Sequence, residues 1–198
     1  LGAKPNKEWI ERERSPDIII YTQDLPDSDV DLIKGTVRLK HSPQKVAAIL
    51  MSAKRQTEFV PHNKGIHLLQ WRRLPNGRIE QLIHQKSSVP VLSDRDVILK
   101  TLTWSEKNHD GETWRSSFVS VQNEGPKPED GFVRLPSLKG SWAVHPTESG
   151  GSELIYFTHA EFGGLLPSWL VELKQIDAIF DLLANLKSMC SIIYPLGD

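Results

Sequence analysis

The sequence has a single cysteine and no long hydrophobic run. One thiol, Cys190, excludes an internal disulfide and a cysteine-based zinc site. The longest apolar stretches, such as Ile18–Tyr21, have about four residues, whereas a membrane-spanning helix needs roughly 18 to 20. We therefore expect a fold without covalent cross-links and without a membrane-spanning helix.

The chain also lacks an excess of positive charge and the common catalytic signatures. Its 24 Lys and Arg residues stand against 25 Asp and Glu, for a formal net charge of −1. Proteins that bind nucleic acids usually carry a basic surplus that matches the phosphates. The sequence contains no GxSxG elbow, glycine-rich phosphate loop, HExxH motif or Cys/His ligand spacing. We therefore predict no nucleic-acid partner, no metal, no cofactor and no catalytic nucleophile.

The length and composition indicate a folded protein. A chain of 198 residues predicts one domain over residues 1–198, and six Trp, six Phe and three Tyr are too many for a disordered chain. The sequence begins Leu-Gly-Ala-Lys-Pro without a methionine. We expect a soluble protein, either exported after loss of a targeting segment or cytoplasmic.

The spacing of turn signals and apolar residues predicts an α+β domain. Turn residues recur about every ten to fifteen positions, which is typical of an antiparallel sheet. Ser42-Pro43 is a favourable start for a short helix between the strands, and Pro167 precedes a long amphipathic segment with apolar residues every three or four positions. The strands are predicted over residues 17–23, 32–41, 66–74, 78–86, 96–105, 112–122, 132–145 and 153–162.

Three groups of motifs resemble one known family. They are VPVLSDRDV over residues 89–97, GFVR and GSW over 131–134 and 140–142, and FGGLLPSWL over 162–170. Their order and spacing are similar to those of the START (steroidogenic acute regulatory protein related lipid transfer) family. The resemblance implies a helix-grip fold, in which a curved antiparallel sheet wraps around the C-terminal helix and encloses a hydrophobic cavity. It also implies non-catalytic binding and transfer of a lipid or sterol-like molecule, with transient contact at a membrane surface.

The sequence departs from the family in places, including the N-terminal helix common in the family, which Gly2 and Pro5 disfavour. Glu161 stands where the family usually has Asp, which is a conservative change. Steroid-carrying relatives have an acidic residue on the strand after the short helices, whereas this chain has Gly65, Ile66 and His67 there. The resemblance therefore does not imply specificity for cholesterol.

Strand parity, the broad apolar side of the predicted C-terminal helix and the resemblance together nominate the residues of the cavity. Arg95 shares one strand face with Val97 and Leu99, so it should point inward with them. A buried cation needs a partner, which is a carboxylate such as Glu161, carbonyl groups, water or the polar head of a ligand, and a salt bridge and a ligand contact can coexist. The predicted ligand-binding residues are Arg95, Val97, Leu99, Trp142, His159, Phe162, Ile179, Leu182, Leu183 and Leu186.

A ligand enclosed by a long helix needs a moving segment for access. Gly163 and Gly164 provide backbone freedom, and Leu165 and Leu166 provide apolar contact with a membrane. This segment is predicted to be a gate, with a simple turn between strand and helix as the alternative.

Two other functions stay open at this point. One is a helix-grip enzyme of the cyclase/dehydratase type that acts on an aromatic or polyketide-like substrate, with His159, His84 and Glu161 converging in one pocket as acid and base. The other is a protein-interaction module whose cavity is filled by aromatic side chains.

Overall fold

The computed structural model describes residues 8–88, 93–162 and 168–195, with side chains of the last range described from residue 171. These ranges contain ten strands and three helices. The strands are β1 (Ile10–Arg14), β2 (Ile18–Gln23), β3 (Leu32–Leu39), β4 (Asn63–Arg73), β5 (Ile79–Ser87), β6 (Asp94–Asn108), β7 (Gly111–Ser120), β8 (Phe132–Arg134), β9 (Ser137–Pro146) and β10 (Ser152–Glu161). The helices are α1 (Pro43–Leu50), α2 (Ala53–Phe59) and α3 (Ser168–Ile193).

Nine strands form one curved antiparallel sheet in the order β1-β2-β3-β10-β9-β7-β6-β5-β4. The predicted α+β architecture, with a C-terminal helix against the sheet, is confirmed. The helix α3 packs against β2 and β3. We call the sheet face that it covers the inner face.

One strand departs from the antiparallel pattern. The segment predicted as a single strand over 132–145 forms two strands with different partners, and β8 pairs in parallel with β6. Pro136 lies between β8 and β9, and proline cannot donate a hydrogen bond to a strand ladder. The chain therefore changes partner at this position.

The predicted short helix is also divided in two. The helix α1 starts after Ser42 with Pro43 in its first turn, as predicted, but the Ser42 side chain makes no capping hydrogen bond. Ser52 caps the second helix instead, because its hydroxyl accepts a hydrogen bond from the backbone N–H of Arg55 at 3.3 Å. The two helices lie between β3 and β4 along the chain, at one side of α3.

Close packing fixes α3 on the sheet. Leu183 and Leu186 are completely buried in the main core with Ile20, Ile33 and Val37 from the inner face. No helix in the described part of the chain is long and apolar enough to cross a membrane.

Candidate ligand-binding cavity

A cavity lies between the inner face and α3, and it consists of two adjacent chambers. The Arg95 chamber has a volume of about 360 Å³ and includes Arg95, Val97 and Phe162 in its wall. The Thr101 chamber has a volume of about 130 Å³ and is lined by Leu99 and Thr101, among others. Both chambers are bounded by Val60, Gln85, Leu138, Tyr156 and Leu182.

The strand β6 contributes to both chambers because alternate side chains share one face. Arg95 and Val97 line the Arg95 chamber, and Leu99, Thr101 and Thr103 line the Thr101 chamber. The inward parity predicted for this strand is therefore observed. The cavity follows the strand from a charged end to an uncharged one.

Arg95 is a buried cation held by backbone carbonyl groups. It is 7% exposed. Its Nε donates a hydrogen bond to the carbonyl oxygen of Phe162 at 3.2 Å, and its Nη1 donates to that of Ser93 at 2.6 Å. No carboxylate in the described ranges forms an ion pair with it, and Glu161, the acid considered in the sequence, is exposed. The guanidinium therefore has no ion-pair partner in direct contact within that part of the protein, and the carboxylates of Asp96, Asp177 and Asp181 border the same chamber.

Six other predicted ligand-binding residues also lie at the cavity. Val97, Phe162 and Ile179 are in the wall of the Arg95 chamber. Leu99 and Trp142 line the Thr101 chamber, and Leu182 borders both. The structure thus brings these six together with Arg95 around one space.

Leu183 and Leu186 lie elsewhere on α3. They pack into the core against the sheet and line neither chamber. Successive residues of a helix are rotated by about 100°, so Leu182 can face the cavity while Leu183 faces β3. A Cβ added to Gly35 of β3 would lie 2.7 Å from Leu183 Cδ1, which shows how closely the helix approaches the strand there.

His159 points away from the cavity, which corrects its predicted position. Its neighbours Thr158 and Ala160 line the Arg95 chamber, so the alternation of β10 directs His159 to the outer face. There its Nε2 lies 2.9 Å from the hydroxyl oxygen of Ser28, in the connection between β2 and β3. Burial, with the nearby charge of Lys139 as a second cause, lowers the pKa of His159.

The three residues proposed as acid and base of an enzyme do not converge. His84 lies on the outer face of β5, where its Nε2 is 3.0 Å from Asp96 Oδ2. Arg134 donates to both oxygens of the same carboxylate, at 3.0 and 2.9 Å. This buried cluster joins β5, β6 and β8, whereas His159 lies on another strand and Glu161 is exposed. No group of three or more potential metal ligands occurs in the described residues.

The sequence interpretation missed several polar side chains of the cavity. Gln81, Gln85, Ser116 and Tyr156 all contribute to its wall. The two glutamines pair in register with inward positions of β6, so the parity of β5 was the signal that could have found them. Burial raises the pKa of Tyr156 to about 12, so its phenol is neutral.

The predicted gate lies outside the described residues. This applies to Gly163, Gly164, Leu165 and Leu166. Phe162, just before them, borders the Arg95 chamber.

One family model and several known proteins match this chain. The family model described as "START domain" matches residues 3–191. The crystal structure of a STAR-related lipid transfer protein fragment from Xanthomonas axonopodis is 27% identical, covers 92% of this chain and 98% of that chain, and has a TM-score of 0.78. Human StAR-related lipid transfer protein 5 is 16% identical over 94% of this chain and 88% of that chain, with a TM-score of 0.78. An uncharacterized protein of Pseudomonas aeruginosa is 24% identical over 183 residues, which are 92% of this chain and 86% of that protein.

Proposed function

The chain belongs to the START domain family, and we propose that it binds and transfers a lipid whose polar or anionic end lies at Arg95, without catalysing a reaction. The apolar part of this lipid occupies the space between α3 and the inner face. The likeness to lipid transfer proteins supports hydrophobic ligand binding.

The observation that carries the proposal is a buried cation at one end of an apolar cavity. Arg95 has carbonyl groups as its described partners, and these orient the guanidinium without neutralising it. An anionic headgroup would supply the missing charge, in a surrounding where charge-assisted hydrogen bonds are stronger than in water. The apolar walls would stabilise the lipid tail at roughly 25 cal/mol per Å² of apolar area removed from water.

The size of the cavity supports a ligand rather than a filled interior. Small-molecule sites usually measure about 300 to 1,000 Å³, and the Arg95 chamber alone reaches about 360 Å³. This volume argues against the interpretation as an interaction module whose cavity is packed with aromatic side chains.

Transfer requires that the ligand enters from a membrane and leaves to one. We expect transient contact of the protein with a membrane surface during this exchange. We propose that the segment 163–166 is the gate for this exchange, because its two glycines permit the backbone rotation that a hinge needs.

A cavity-filling substitution tests the proposal. Leu182 borders both chambers, so Leu182→Trp should block them. Leu173→Trp is the matched control, because Leu173 lies on the same helix and is 48% exposed. We expect the wild type and the control to extract a fluorescent fatty acid from phosphatidylglycerol vesicles and to deliver it to unlabelled vesicles, and we expect Leu182→Trp to lose this activity.

Native mass spectrometry checks the same variants for bound lipid, and circular dichroism checks that they are folded. Undiminished transfer by a folded Leu182→Trp variant would show that the ligand does not use the cavity. A wild-type protein that takes up no lipid from any vesicle would overturn the proposed function.

A further inference from the structure

The Thr101 chamber is lined mostly by apolar side chains, and the polar side chains among its described lining residues carry no charge. Its wall includes the hydroxyl groups of Thr101, Thr103 and Ser116 and the side-chain amides of Gln81 and Gln56. The Arg95 chamber, in contrast, is bordered by charged side chains. The two ends of the cavity therefore differ in chemistry.

One of these hydroxyl groups has no hydrogen-bond partner among the described residues. Thr101 Oγ1 is buried, and no bond to it is found in the described structure. Its neighbours are already engaged, because Thr103 Oγ1 donates to Ser116 Oγ at 2.8 Å and Gln81 Nε2 donates to the carbonyl oxygen of Met51 at 3.2 Å. Leaving a buried hydroxyl unpaired is unfavourable, so a group that completes its bonding is stabilised in the chamber.

The distance between Thr101 and Arg95 indicates the length of the ligand. Both side chains are on the inner face of β6, six residues apart in the sequence, and a strand rises about 3.3 Å per residue. They are thus separated by roughly 20 Å along the strand. Apolar side chains, including Val97 and Leu99, lie between them.

We propose that the Thr101 chamber is a second recognition site, which binds a neutral hydroxyl or carbonyl group at the far end of the ligand. This inference rests on the proposed function, because it assumes that the anionic end lies at Arg95. The ligand class is then a long-chain amphiphile that has an acidic group at one end and an uncharged oxygen at the other, such as a hydroxylated or oxidised fatty acid. A hydroxyl or carbonyl group is favoured over a second charge because the chamber offers no counter-charge in its described wall.

The test compares two probes that differ by one oxygen, palmitic acid and ω-hydroxypalmitic acid. We expect the wild-type protein to bind the hydroxy acid about tenfold more tightly, which is the effect of about one hydrogen bond to a group otherwise unpaired. Thr101→Val keeps the shape of the side chain and removes the hydroxyl, so it should abolish the preference, with the affinity ratio of the two acids falling to about one.

Two further variants separate recognition from folding. Thr101→Ser retains the hydroxyl and should retain the preference. Thr36→Val makes the same exchange on β3, at a position that lines neither chamber, and should also retain it.

The outcomes distinguish this inference from the proposed function. If the wild type binds both acids equally and Leu182→Trp binds neither, the cavity is the binding site but the second recognition site is refuted. If Thr101→Val retains the preference, the oxygen is recognised elsewhere and the inference is likewise overturned. If the wild type binds neither acid, the proposed function fails for fatty acids, and the inference fails with it.

Discussion

Replacing Arg95 by methionine separates its contribution to ligand binding from its contribution to stability. Methionine retains much of the length and apolar character of the arginine stem, and it removes the guanidinium. The folded protein loses two hydrogen bonds from a charged donor, each worth about 1.5–3 kcal/mol. It also avoids burial of an ion, which costs several kcal/mol in a protein interior. Because these effects are similar in size and opposite in sign, we expect the free energy of unfolding to change by less than about 2 kcal/mol.

Binding should change more, and only for acidic ligands. Removing one partner of a buried charge pair weakens binding, and the lower end of the usual range is a loss of about 2–3 kcal/mol in binding free energy. This loss corresponds to a roughly 30- to 140-fold lower affinity. We expect this loss for palmitic acid and no loss for the neutral cetyl alcohol. Lys174→Met is the control, because Lys174 is an exposed cation that borders the same chamber.

Two measurements decide the result. Displacement of a fluorescent fatty acid at neutral pH gives the two affinities for each variant, and urea denaturation gives the free energy of unfolding. If Arg95→Met weakens the acid and the alcohol equally, or if it unfolds the protein, Arg95 has a structural role and the charge argument is refuted.

Three other predictions concern stability. Gly140→Ala should lower the free energy of unfolding by about 2–4 kcal/mol in urea denaturation, because the new Cβ would lie 2.2 Å from the carbonyl oxygen of Phe157. Asp96→Asn should lower it by about 3 kcal/mol, since it leaves the partly buried guanidinium of Arg134 without its charged partner. The lowered pKa of His159 means that the unfolded chain binds a proton more readily than the folded one. Stability should therefore fall as the pH drops below the ordinary imidazole value of 6.5, and His159→Gln should reduce this fall.

Exposed residues provide the controls for the last two predictions. Asp110→Asn removes a carboxylate with 65% side-chain exposure, and His109→Gln removes an imidazole with 89%. Neither substitution should change the denaturation midpoint or its dependence on pH. A change of similar size in the buried and exposed variants would show that the buried partners do not matter.

Strand parity predicted part of the cavity from a single strand. Along β6, Arg95, Val97 and Leu99 share one parity, and the charged Asp96 and Lys100 have the other, so the inward set could be read from these five positions. The strand β10 has apolar residues on both faces, because the connection that contains Ser28 covers its outer face near His159. A histidine buried by a loop from a distant part of the chain looks the same in sequence as one buried by a ligand.

Helical periodicity likewise predicted only part of what α3 does. It identified the helix and its broad apolar side, but it did not divide that side between core and cavity. Leu182 and Leu183 differ in what they face because the close contact at Gly35 fixes the rotation of the helix. That contact joins residues far apart in the sequence, so local patterns carry no information about it.

The strand order determines when during synthesis the sheet can be completed. Among the strands of the described ranges, the hairpins of β1, β2 and β3 join the rest of the sheet through β10 alone, with Leu39 paired to Ser152. A chain still being made on the ribosome therefore has no partner for the free edge of β3 until β10 has been synthesised. Contacts so distant in sequence slow folding, and they leave the isoleucines of β2 exposed in the meantime. This protein should depend on chaperones most strongly in the interval before β10 emerges.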